Sequence, residues 1–95
     1  MYDLIYTETA KSEIEDIIEY LSKFYKSTPK KFTDKLEKAI LLLKDQPYAF
    51  KKFEPYPEYH RVVVMDYLVF YKVYENPCRV EIHRILHGSR NIKLD

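Results

Sequence analysis

Residues 59–74 read Tyr59-His60-Arg61-Val62-Val63-Val64-Met65-Asp66-Tyr67-Leu68-Val69-Phe70-Tyr71-Lys72-Val73-Tyr74, rich in β-branched and aromatic side chains, with neither glycine nor proline. Such a run predicts strand. It is too long for one ordinary strand, and Asp66 in its middle is the natural place for a tight reversal. Two strands are therefore expected, roughly 59–65 and 67–74, folded as a hairpin. After the break Glu75-Asn76-Pro77, residues 79–87 form a third strand, completing an antiparallel meander. Alternation places Val62 and Val64 on one face and Arg61, Val63 and Met65 on the other. Ile85 breaks the alternation that Val80 and Ile82 begin, which predicts a bulge near His83-Arg84.

Upstream the period changes. Residues 2–7 are apolar enough for a short first strand, and Thr7 or Thr9 can cap a helix. Ala10, Ile14, Ile17, Ile18, Leu21, Phe24 and Tyr25 then recur at helical spacing, with Glu13, Glu15, Asp16 and Glu19 opposite. Thr28-Pro29 restarts a helix with Thr28 as cap and proline at the first helical position. This second helix runs to about Lys44, its stripe Phe32, Leu36, Ala39, Ile40 and Leu43, its polar positions mostly lysine. Residues 47–57 hold three prolines and four aromatics and read as a loop pinned to the core edge, with Lys51 and Lys52 at its tip. The element order is β-α-α-β-β-β. The expected architecture is one small α+β domain spanning 1–95, a helical hairpin on one face of a mainly antiparallel four-stranded sheet. The open face then presents Arg61, Lys72 and His83, joined from the tail by His87 and Arg90.

Composition narrows the function. Ninety-five residues make one domain, 46% apolar and 16% aromatic with a single glycine, which leaves no room for long flexible linkers. Sixteen basic against fifteen acidic residues give a formal charge of +1, without the basic excess that nucleic-acid binding usually needs. One cysteine, Cys78, permits no internal disulfide, and with no leader-like or long apolar run the chain is expected in the cytoplasm. The three histidines and the cysteine lack zinc spacing, and no glycine-rich phosphate loop is present, so no metal or cofactor is expected. Each candidate has two readings. Arg61 is a partner contact or an ordinary strand arginine. His87 and Arg90 cluster beside Gly88, where an unusual backbone turn is possible. His83 reads first as structural, at the bend. Arg84 reads as a bridge to a helix acid such as Asp16.

The pattern Tyr59-His60-Arg61 followed by Asp66-Tyr67-Leu68-Val69-Phe70-Tyr71-Lys72-Val73 resembles the RelE/ParE toxin superfamily. So do Thr7-Glu8-Thr9-Ala10, the helix exit at 43–47, and the ending Ile82-His83-Arg84-Ile85-Leu86-His87-Gly88-Ser89-Arg90-Asn91. The likeness spans nearly the whole chain. It implies the toxin half of a type II toxin–antitoxin pair, in complex with a cognate antitoxin. Fold does not choose between the two activities of that superfamily. One branch cleaves mRNA on the ribosome without metal; the other binds DNA gyrase and blocks it.

The nuclease set carries over in part. Its basic position in the first meander strand is Arg61, and the one after the last strand is Arg90. The other two basic positions fall on Val63 and Leu68, and the late tyrosine position lies past Asp95. If the chain is a nuclease, Arg61, His87 and Arg90 are its catalytic residues. The long helices and the ending lean to the ParE branch, a growth-inhibiting gyrase binder. There the partner-contacting set is Arg61, Lys72, His83, His87, Arg90, Lys51 and Lys52. The alternatives are a ribosome-dependent mRNA interferase and a degenerate member that binds only its antitoxin.

Overall fold

The computed structural model describes residues 1–24, 26–89 and 91–94. Its elements are β1 (Asp3–Tyr6), α1 (Glu8–Ser22), α2 (Thr28–Asp45), β2 (Lys52–Phe53), β3 (Tyr56–Val64), β4 (Tyr67–Glu75) and β5 (Cys78–His87). Thr7 caps α1 as its residue type suggests: the hydroxyl accepts the Ala10 amide at 3.1 Å. At the start of α2 the cap is Ser27 rather than Thr28, in helical backbone and without a side-chain hydrogen bond. Thr28 is already helical there, and Pro29 follows in the first turn.

The sheet has five strands, in the order β1-β5-β4-β3-β2. The expected four become five because Lys52 and Phe53, inside the stretch read as a loop, pair with β3. Only β1 runs parallel to its neighbour, with Asp3 opposite Arg79 and Tyr6 opposite Ile82. The β3–β4 reversal falls at Met65 and Asp66, Met65 taking a left-handed φ of 56°. The bulge lies where it was expected. Phe70 pairs with Arg84 and Tyr71 with Ile82, so His83 is the extra residue.

The helical hairpin covers one sheet face. Phe32, Leu43, Val69, Tyr71, Val80 and Ile82 are fully buried there. Burying each such side chain contributes about 1.5–3 kcal/mol before the entropy of ordering is subtracted. Of the aromatics expected to pin the 47–57 stretch, Phe50 packs on this core, Phe53 and Tyr56 pack on the other sheet face, and Tyr48 is exposed; two backbone carbonyls complete the attachment. The Tyr71 hydroxyl donates to the Pro47 carbonyl at 2.7 Å. His60 stacks on Tyr71 at 5.3 Å and donates from Nδ1 to the Phe50 carbonyl at 2.9 Å.

The second face is not bare. Tyr59, Phe70 and Leu86 form a smaller apolar cluster there, and Leu94 of the C-terminal tail closes over it with Ile92 beside it. The free face expected from sequence is thus reduced to the part the tail leaves uncovered. Gly88 does not adopt a left-handed turn. Its amide donates to the Asp66 carbonyl at 2.8 Å, and a Cβ would stand 3.3 Å from that oxygen, so a close approach selects glycine.

Candidate partner surface on the second sheet face

Tyr59 is the centre of the polar strip on the second face. Its ring is almost wholly buried, Lys72 Nζ lies 4.7 Å above it, and the His83 ring meets it edge-on at 5.5 Å. His83 donates from Nε2 to Glu81 Oε1 at 3.0 Å, and Arg79 Nε donates to Glu81 Oε2 at 2.9 Å. The Arg79 guanidinium in turn stacks 4.3 Å from the Tyr74 ring. Arg79, Glu81 and His83 alternate along β5, and alternation is what brings them to one face. Partial burial pushes the Glu81 carboxyl up, but the hydrogen bonds from Arg79 and His83 outweigh it and hold the group below the usual carboxylate range.

Arg61 stands apart from this strip. It is exposed, with its guanidinium 5.8 Å from the Phe53 ring, and its amide donates to the Lys51 carbonyl at 3.2 Å. That bond sets exposed Lys51 beside it, and Lys52 follows in β2. The second face therefore carries Arg61, Lys72 and His83 as expected, with Lys51 at its β2 margin, while Lys52 pairs with His60 and so belongs to the helix side.

His87 belongs to the other side. It pairs across the sheet with Tyr67 and meets that ring edge-on at 5.4 Å, and Tyr67 packs against Phe32 of α2. In a regular strand His83 and His87 would share a face. The extra residue at the bulge reverses the alternation between them and sends His87 to the helix side. There the Ser89 amide donates to His87 Nδ1 at 3.2 Å, which leaves the ring proton on Nε2. Arg90 lies outside the described residues.

Arg84 is structural, as anticipated, but its partner is Glu13 rather than Asp16. Its Nε and Nη2 donate to Glu13 Oε2 at 3.0 and 2.9 Å. Glu13 thus leaves the solvent face of α1 where its spacing had put it. Among the described residues no three His, Cys, Asp or Glu side chains converge as a metal ion requires.

Two clusters went unread in the sequence. One is the Arg79-Glu81-His83 chain, whose period-two spacing was available as a signal. The other is a clip at the opposite end of the sheet. The Tyr2 hydroxyl donates to both Glu75 oxygens, at 2.9 and 2.8 Å, and the Tyr48 hydroxyl donates to Glu75 Oε2. The hydrogen bond to Glu75 pushes Tyr2 up to about 12, and the bonds from Tyr48 and Tyr2 hold the Glu75 carboxyl down. Nothing in sequence spacing joins residues so distant.

A family model described as "ParE toxin of type II toxin-antitoxin system, parDE" matches residues 4–92. Among solved structures, the chain is similar to one described as "Chromosomal ParDE TA system from P. aeruginosa", with a TM-score of 0.76. That match has 13% identity and covers 92% of this chain and 96% of the other, so it speaks to fold alone. No curated protein matches.

Proposed function

Because the chain belongs to the ParE family of type II toxins, we propose that it arrests growth in the cytoplasm by binding DNA gyrase and is neutralised by a cognate antitoxin. The observation that carries this reading is the family match over nearly the whole chain, set beside the separation of Arg61 from His87. A nuclease needs its cations and its acid or base converging on one phosphate. Arg61 and His87 face opposite sides of the sheet. On the second face, His83 and Arg79 are both engaged by Glu81. Arg61 with Lys51 and Lys72, and Lys52 at the same sheet edge, suits a partner's acidic surface, and it needs no reacting group. No helix among the described residues is long and apolar enough to cross a membrane.

One observation favours ribosome-dependent mRNA cleavage as a second reading. The Glu81–His83 pair beside Lys72 is an oriented histidine next to a cation. Two assays on the purified protein separate the readings. Inhibition of gyrase supercoiling, weakened by Arg61→Ala, with no cuts in primer extension on translated mRNA, is the expected result. Cleavage within codons that is lost in His83→Ala overturns it.

A further inference from the structure

We propose that the groove between α1 and the C-terminal end of β5 is a docking site for an arginine carried on the apolar ridge of a partner's helix. The groove follows from strand length. β1 pairs with β5 only as far as Ile82, so beyond that point α1 meets β5 with no strand between. The space left is about 520 Å³, within the range of sites that enclose a side chain or small ligand. Ile17, Tyr20, Tyr67 and Ile85 give it apolar and aromatic walls. Asp16 and Glu13 supply its charge.

The two carboxylates are not equivalent. Glu13 is engaged by Arg84 and by the Ile85 amide. Asp16 is exposed, and among the described residues no side chain pairs with it. The exposed acid Glu19, three residues on from Asp16 along α1, adds negative potential beside it. A cation from outside is the complement. Arginine fits better than lysine because its flat guanidinium can lie against the rings of Tyr20 and Tyr67 while forking onto the carboxylate. Just past the end of α1, Phe24 meets Tyr20 edge-on at 5.0 Å, and both rings are more than half exposed. They extend the groove into an apolar track of the kind a helix ridge covers. This surface is on the helix side, separate from the second sheet face, and it stands whether or not gyrase is the target.

The test titrates isotope-labelled protein with ethylguanidinium chloride against sodium chloride at equal ionic strength, reading amide shifts. Saturable shifts confined to residues 16–20, Tyr67 and 85–89 are expected, about fivefold weaker in Asp16→Asn. A helical peptide with one arginine between leucines a turn away on either side is compared with its citrulline counterpart. The arginine form binds about tenfold tighter if charge and fork geometry are both read. Tyr20→Leu keeps the bulk, removes the ring face, and reduces that preference. Equal binding of the two peptides overturns the proposal. So do shifts that are unchanged in an Asp16→Asn protein with an unaltered melting temperature.

Discussion

Glu13 on α1 closes the unpaired edge of β5 at Ile85. Its Oε1 accepts the Ile85 amide at 2.9 Å while Oε2 receives Arg84 at 2.9 Å. A backbone donor left without a strand partner must be satisfied somewhere, and a helix side chain does it here. Glu13→Ala orphans both donors and lowers unfolding free energy by about 2–3 kcal/mol in urea denaturation. Glu13→Gln keeps an oxygen for the Ile85 amide but turns a nitrogen in place of an acceptor toward Arg84, so it costs less than Glu13→Ala while still losing the ion pair. A Glu13→Ala protein as stable as the parent would show that the edge is satisfied by water instead.

The Tyr2–Glu75–Tyr48 clip gives a titration signature. The pKa of Tyr2 is raised in the fold from 10.0 to about 12, so its contribution is complete below pH 10 and is lost as pH rises through 12. The Glu75 pKa is lowered, so its contribution is present above the ordinary carboxylate value and disappears as pH falls through the folded one. Ultraviolet titration should show a late-ionising tyrosine. In Glu75→Gln both tyrosines return toward the ordinary phenol range, since the largest cause of each shift is the bond to Glu75.

The second-face cluster separates fold from cover. Phe70 is fully buried, and Phe70→Ala costs about 3–5 kcal/mol. Leu94 is buried at the end of an irregular tail, so Leu94→Ala costs about 2 kcal/mol at most, because the tail can lift. Hydrogen exchange of β4 and β5 amides should respond strongly to the first change and little to the second.

On the proposed gyrase reading, Arg61→Ala and the double change Lys51→Ala with Lys52→Ala weaken supercoiling inhibition severalfold each, with melting temperatures within about two degrees of the parent. The association rate should carry most of the loss and should shrink further at high salt. Loss of stability in place of binding would assign these exposed cations to the fold.

The helices, the hairpin turn near Asp66 and the bulge were readable because each follows from local periodicity or its interruption. β2 was not, being two residues in a proline-rich stretch. The parallel place of β1 was not, because an edge strand's neighbour is chosen by tertiary packing. The site was half legible. Arg61, Lys72 and His83 reached one face, but the face of His87 depended on carrying the bulge's phase change forward. The tail's return across the second face left no local signal beyond two aliphatic residues.

Asp3 to Tyr6 take their sheet partners, Arg79 to Ile82, from β5, with both helices and three strands between them in the chain. Local helices can form on a nascent chain, whereas this seam must wait for β5 to emerge, with the loop-closure entropy of the whole intervening polypeptide set against it. A chain truncated before residue 79 therefore leaves β1 with no mate, and the sheet stays incomplete until β5 has been made.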